Sequence, residues 1–224
     1  MNNKTILYYT ANQENPEFEE KIQQNILENC NGLPIISVSQ KPIMFGENIC
    51  VGEVGRSYLN LYRQTLLGAL AAKTEYLVFA ESDFLYSKEY FSFTPQGDNM
   101  YRYENVWLMF ADKRFGFKYY KKSYAGGVLI VKRDFLIKEL NKYLEGQPEW
   151  IDGDFIVRDK KGNPRVDYTD IKNFPEKFVS FSSEIPCISF KTGNGLTSRA
   201  SVNKERADTL PYWGNGRELY FKML

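Results

Sequence analysis

Glu81 and Asp83 stand one residue apart at the end of the apolar run YLVFA, residues 76–80. Two carboxylates where a buried strand ends repel each other and lose hydration together, so something must offset both costs. In an extended chain side chains 81 and 83 project to one face, with Ser82 opposite, and can converge on a single cation. Hard oxygen donors suit Mg2+ or Mn2+, which one or two carboxylates hold together with the phosphates of a substrate. The competing reading is a strand that has simply ended, with both acids solvated and Asp83 capping the next turn. The chain has no histidine, which removes the commonest metal ligand and general base. Its chemistry must then run on carboxylates, hydroxyls, Lys and Arg.

Two further stretches carry usable groups. Gly55, Arg56 and Ser57 open a helix, where backbone N–H groups and a guanidinium can meet an anion, or where an Arg is merely solvated. Between 113 and 133, Lys113, Arg114, Lys118, Lys121, Lys122, Lys132 and Arg133 alternate with Phe115, Phe117, Tyr119, Tyr120 and Tyr124. Cations neutralise phosphates and rings stack on bases, so this is the stretch suited to nucleic acid; the alternative is a solvated hairpin with its rings in the core. The formal net charge of +1 excludes a uniformly basic coat.

These groups need a scaffold, and the hydrophobic pattern describes one. KTILYYT (4–10) reads as a strand, PEFEEKIQQNILENC (16–30) as a helix with Phe18, Ile22, Ile26 and Leu27 inward, and LPIISVSQ (33–40) as a second strand. Strand, helix, strand predicts a parallel sheet. After the Gly-rich connection GENICVGEVG, the segment 56–73 is a helix with Leu59, Tyr62, Leu66 and Leu70 on one face, leading into YLVFAESD. The runs YFSF, MYRYENVWLMF and YAGGVLIV between 88 and 131 read as strands of an antiparallel or mixed extension. RDFLIKELNKYL (133–144) is a helix with Phe135, Leu136, Leu140 and Tyr143 inward. IDGDFIVRDKKGNPRVDY is a loop or hairpin, and FVSFSSEIPCISF (178–190) a last strand region. The final segment is polar and Gly-rich, with an aromatic end suited to folding back. At 224 residues with 43% hydrophobic content the chain is long enough to bury a sizeable core.

This order of elements, with an acidic triplet closing a nucleotide-binding half and a Gly-Gly strand start in an aromatic-rich half, resembles the glycosyltransferases of the GT-A fold. The resemblance runs over roughly residues 4–200. It implies an α/β fold in a single GT-A-like domain, 1–224. A Rossmann-type nucleotide-sugar-binding half (1–87) would be followed by an acceptor half on a mixed central sheet (88–190) and a C-terminal loop and tail (191–224). Glu81-Ser82-Asp83 looks like the D-x-D motif that holds Mn2+ or Mg2+ on the donor diphosphate. Asp83 matches its dependable position, and Glu81 stands where Asp is more usual. Tyr9, Thr10 and Asn12 match where the family holds base and ribose, with Arg56 and Ser82 beside the phosphates and Arg63 more weakly placed.

By the same resemblance Gly126 and Gly127 shape the sugar and acceptor pockets. Lys191 stands where many relatives carry a late His. An ammonium cannot ligate a metal but can neutralise a diphosphate, which leaves a metal-independent donor site open. Asn194, with Gly193, Gly195, Thr197 and Arg199, forms a loop suited to closing over phosphates. An inverting transfer needs a carboxylate to take the acceptor proton; Asp152 is the first candidate and Glu149 the second, with Asp154 nearby and Trp150 placed to stack on a sugar. The implied donor is a nucleotide sugar, UDP-sugars foremost. Candidate acceptors are a hydroxymethylated base in DNA or a glycan, and the alternative function is a non-catalytic domain that binds nucleic acid or sugar. Three cysteines without metal-ligand spacing, each read as a small core residue, and the lack of a leader-like N-terminus or an apolar run near the roughly 20 residues that span a bilayer lead us to expect a cytoplasmic protein with no membrane partner.

Overall fold

The computed structural model describes residues 3–98, 100–112, 115–122, 125–151, 156–158, 164–166, 178–192 and 202–224. β1 (Lys4–Thr10) is buried along its whole length. α1 (Pro16–Asn29) begins where Asn15 Oδ1 accepts the Glu17 amide at 2.9 Å and Pro16 supplies a preset φ. β2 (Ile35–Ser39), β3 (Glu47–Cys50), α2 (Tyr58–Ala71) and β4 (Tyr76–Glu81) follow. β1 lies parallel to β2 and β4, and β3 lies parallel to β2, so the expected parallel frame is present. β3 was expected as connection: its four residues ENIC are too short and too polar to read as a strand, and they form the sheet edge.

The second half supplies β5 (Phe84–Leu85), α3 (Lys88–Ser92), β6 (Met100–Tyr103), β7 (Val106–Asp112), β8 (Gly116–Lys122), β9 (Leu129–Lys132) and α4 (Arg133–Leu144). After these come the hairpin β10 (Ile156–Arg158) and β11 (Pro164–Val166), then β12 (Phe178–Phe181), β13 (Cys187–Phe190) and β14 (Val202–Ala207). A small hairpin, β15 (Thr209–Leu210) and β16 (Gly214–Asn215), leads into α5 (Gly216–Met223). The main sheet has seven strands in the order β12-β6-β9-β4-β1-β2-β3, with β9 antiparallel to both of its neighbours. A second sheet has the order β14-β8-β7-β13-β5. α5 folds back against β8, and Lys21 Nζ donates to Lys222 O at 2.9 Å, tying α1 to the C-terminal helix.

Alternate residues of β1 feed two cores. Ile6 and Tyr8 join α1 and the second sheet; Leu7 and Tyr9 join α2 and α4 on the other face. A strand covered on both faces reads as a continuous apolar run, as ILYY does within KTILYYT. Several expectations fail at the margins. YFSF is not a strand: Ser87 caps α3, and Tyr90 donates its phenol to Phe79 O and Leu129 O, both at 2.9 Å. Aromatic content gave it a strand-like look, but the capping serine decides. Leu27 and Leu70 are exposed rather than inward, and Cys50 is exposed rather than core. In α4 it is Leu136, Leu140 and Leu144 that are buried, while Phe135 and Tyr143 lie partly buried at the edge.

α2 meets the sheet at Gly68, where an added Cβ would lie 2.1 Å from Leu7 Cδ1 and 3.0 Å from Val38 Cγ2. Gly68→Ala is therefore expected to lower stability by about 1–3 kcal/mol through overpacking, despite alanine's better helix propensity. Urea unfolding of the two proteins checks this, and an unchanged midpoint would show that α2 shifts freely. Among the described residues no helix is long and apolar enough to cross a membrane.

Candidate active site

The acids sit at the carboxyl ends of the parallel strands, where open α/β sheets place ligands. Glu81 is the last residue of β4 and lies in register with Tyr9 of β1. Tyr9 donates its phenol to Glu81 Oε1 at 2.7 Å. The Glu81 amide donates to the Tyr86 hydroxyl at 2.8 Å, and that hydroxyl donates to Gly127 O at 2.9 Å. The strand does not continue to residue 83. Ser82 and Asp83 form a turn before β5, so the two carboxylates approach each other through the turn rather than by strand alternation. Asp83 is 7% exposed, and its carbonyl accepts the Phe190 amide at 2.8 Å.

Facing the pair is Lys122, the last residue of β8, only 6% exposed. Its ammonium lies 5.7 Å from the Phe84 ring centroid and within electrostatic reach of Asp83, Glu81 and Lys191. Glu14 lies within electrostatic reach of Asp83 and accepts a hydrogen bond from Thr192 Oγ1 at 2.9 Å. Burial first, then the charges of Glu81 and Glu14, hold the Asp83 carboxyl well above the usual carboxylate range, with Lys122 acting in the opposite direction. Burial likewise raises Glu81, against the Tyr9 hydrogen bond and Lys122, and lowers Lys122. In the sequence Lys122 was one of a row of cations. Its distinguishing signal was its position at the end of a strand whose neighbours, Tyr119 and Tyr120, are buried.

The rim beside the acids is braced by amides. Thr10 is buried, its Oγ1 accepting the Asn12 amide at 2.9 Å. Asn12 has φ 52°, and its Oδ1 accepts the Gln40 and Lys41 amides at 2.9 and 2.8 Å, which fixes the turn after β2. Gln40 in turn pairs with both backbone groups of Gly55, at 2.7 and 3.1 Å. Asn60 Nδ2 donates to Val54 O, Gly55 O and Ile151 O, holding the segment before Arg56 against the loop that follows α4. Arg56 is half-buried there. Arg63 is a clamp, donating to Leu144 O, Gln147 O and Pro148 O at the end of α4.

Gly127 adjoins the acids directly: an added Cβ would lie 2.6 Å from both Cδ and Oε2 of Glu81. At Gly126 the same Cβ would meet open space, so its small size is not required by the fold. Glu149 is exposed and Trp150 half-buried on the loop after α4. Lys191 follows β13, its amide bonded to Met109 O at 2.9 Å. Asp152, Asp154 and Asn194, with Gly193, Gly195, Thr197 and Arg199, lie outside the described residues, as do Lys113, Arg114 and Tyr124. The remaining cations of the basic stretch are directed to separate elements: Lys118 to Asp208, Lys121 to Asn105, Lys132 to Asp98 and Arg133 to Ala69 O.

No family model matches the chain, and no curated protein matches it. Solved structures show a distant likeness to it. A glycosyltransferase involved in the glycosylation of the major capsid of PBCV-1 gives a TM-score of 0.45 at 13% identity, covering 83% of this chain and 92% of that one. The apo-form glycosyltransferase GlyE of Streptococcus pneumoniae TIGR4 gives 0.48 at 12% identity, over 98% of this chain and 59% of that one. The bifunctional IspDF of Campylobacter jejuni gives 0.41 at 13% identity, over 76% and 54%. The chain's own mixed α/β fold is built on a seven-stranded main sheet. At such TM-scores a reaction has to be argued from the residues.

Among the described residues no three His, Cys, Asp or Glu side chains gather as a metal cage. Asp83 with Glu81 beside it instead fits a hard divalent ion completed by substrate oxygens. Glu81 is the poorer donor, since Oε1 already accepts the Tyr9 phenol.

Burial raises the carboxyls of Asp83, Glu81 and Glu19 in the folded protein. A folded pKa above the unfolded one favours the protonated form on folding. The stabilisation is full below the unfolded value near pH 4 and is lost as pH rises through the folded values. Asp83→Asn, which imitates the protonated acid, is expected to raise the neutral-pH melting temperature by about 2–4 °C, equivalent to about 1 kcal/mol. Thermal scans between about pH 5 and pH 8 should show this advantage shrinking toward acid.

Proposed function

We propose that this chain is a nucleotide-sugar-dependent glycosyltransferase of GT-A-like architecture, acting as one domain over residues 1–224. The reading is carried by buried Asp83 and half-buried Glu81 at the carboxyl end of β4, beside β1, opposed by Lys122, which has Lys191 in its reach. Such a grouping is suited to a diphosphate, whose oxygens need cations. Two carboxylates would serve that end only by holding one more cation. Asp83, with Glu81, would hold Mg2+ or Mn2+, and such an ion supplies Lewis-acid stabilisation of the leaving diphosphate. Lys191 would contact the phosphates as a point charge, and Arg56, Ser82 and Asn194 would complete the phosphate contacts. Thr10 and Asn12 would shape the base and ribose end, acting largely through the backbone they brace.

In the transfer, the bond between the anomeric carbon and the diphosphate oxygen breaks as the acceptor oxygen bonds to that carbon. The electron pair of the broken bond leaves on the diphosphate. In an inverting reaction the acceptor proton passes to a carboxylate, Asp152 by preference and Glu149 next. Trp150 and the Gly126–Gly127 turn would face the acceptor. What favours a saccharide hydroxyl over a hydroxymethylated base in DNA is that the described cations Lys118, Lys121, Lys132 and Arg133 are each drawn to a partner on a different element.

The test is nucleotide release from a panel of UDP, GDP and CMP sugars with manganese, followed by mass spectrometry of glycan arrays and hydroxymethylated DNA. Release from at least one donor is expected, rising when the right acceptor is added. A salt-sensitive DNA shift without any turnover would instead establish a binding module.

A further inference from the structure

We infer that Lys122 is a resident counter-ion of the acid pair that sets how strongly the donor site takes a divalent cation. This deepens the donor-site reading and rests on it. Glu81 and Asp83 form the acid pair, Glu14 lies within electrostatic reach of Asp83, Lys122 lies within reach of both acids of the pair, and Lys191 lies within reach of Lys122. Of the two cations, Lys122 is the built-in one. It is almost wholly buried, its stem is fixed by β8 between β7 and β14, and its head lies near the Phe84 ring next to the acids. Lys191 is half-buried, on the segment leaving β13.

A divalent ion approaching Asp83 therefore meets a charge that is already there. Within electrostatic reach, and at the effective dielectric of a protein interior, like charges lower each other's binding. The site in the free protein is thus weak for metal. Binding becomes favourable when the donor arrives, because its diphosphate adds negative charge that both Lys122 and the metal can share. Order of addition follows: nucleotide sugar enhances metal uptake, and by reciprocity metal enhances nucleotide uptake. Lys122 makes the metal conditional on the substrate.

The test measures Mn2+ binding directly, by electron paramagnetic resonance of free Mn2+, with and without UDP, at neutral pH for every protein compared. In Lys122→Met, the affinity for Mn2+ alone is expected to rise by about tenfold or more, and the enhancement by UDP to shrink. Lys122→Arg, which keeps the charge, should hold both near wild type. If the Met protein does not fold, as judged by circular dichroism, Lys122→Gln provides the same measurement with a polar head in place. Unchanged or weaker Mn2+ binding on removing the charge overturns the counter-ion role while leaving the donor site standing. Absence of Mn2+ binding to every protein, with and without UDP, overturns both.

Discussion

Asp83→Ala is expected to reduce nucleotide release from a sugar donor by at least about 100-fold, with the fold intact. The magnitude follows from what the side chain faces. It is the most buried acid of the cluster, and its neighbours Glu14 and Glu81 share its charge, so no adjacent carboxylate can take its place without moving. Glu81→Ala should cost less, about tenfold, because the Tyr9 phenol already occupies one of its oxygens. Loss should fall on kcat more than on KM if the carboxylate acts on charge that develops in the leaving group. Steady-state release assays with the best donor decide it. Hydrolysis unaltered in Asp83→Ala would sink the assignment of the metal and diphosphate to this pair. The same position is expected to give a more stable protein as Asn, so activity and stability should move in opposite directions there, as at a site where function is kept at the expense of folding.

Gly127→Ala is expected to have the second largest effect. The methyl group would enter the volume of the Glu81 carboxylate, 2.6 Å from Cδ. Glu81 would then lose its seat against Tyr9, or the Gly127 carbonyl would leave the Tyr86 hydroxyl. We expect a loss of about 1–3 kcal/mol in stability and about tenfold or more in donor turnover. Adding Glu81→Asp, which shortens the side chain by one methylene, should restore stability in the double variant. Gly126→Ala, facing open space, should change stability by no more than about 0.5 kcal/mol. Urea midpoints for wild type, Gly127→Ala, Glu81→Asp and the double variant form the cycle, and additivity of the two substitutions would show that residues 81 and 127 do not interact.

The parallel frame was legible because β1, β2 and β4 each carry a mostly apolar run that is buried almost throughout, and α1 carries its Asn and Pro start signals. β3 was not, since a short edge strand half-open to solvent has no pattern to show. α3 was missed because Tyr90 and Phe91 suit a strand as well as a buried helical turn, and only the serine before them discriminates. At the site, Glu81 and Asp83 could be singled out from spacing alone, but the reason they converge could not. It is a turn at 82–83, with a lysine brought from a different sheet. Lys122 looked like part of a basic surface because sequence neighbours share a charge while alternating strand faces do not share an environment.

Lys122 closes β8 in one sheet and Gly127 lies shortly before β9 in the other, and both act on the acids, Lys122 by its charge and Gly127 by its closeness to Glu81. The pair is therefore a gauge of how the two sheets sit on each other. Lys122 is held by the second sheet and Glu81 by the first, so a slip of one layer against the other changes the separation of opposite charges, at a place where burial magnifies the change. Repacking Tyr86 or Tyr90, which lie between the layers, would be felt at the acids as altered charge before any substrate is present.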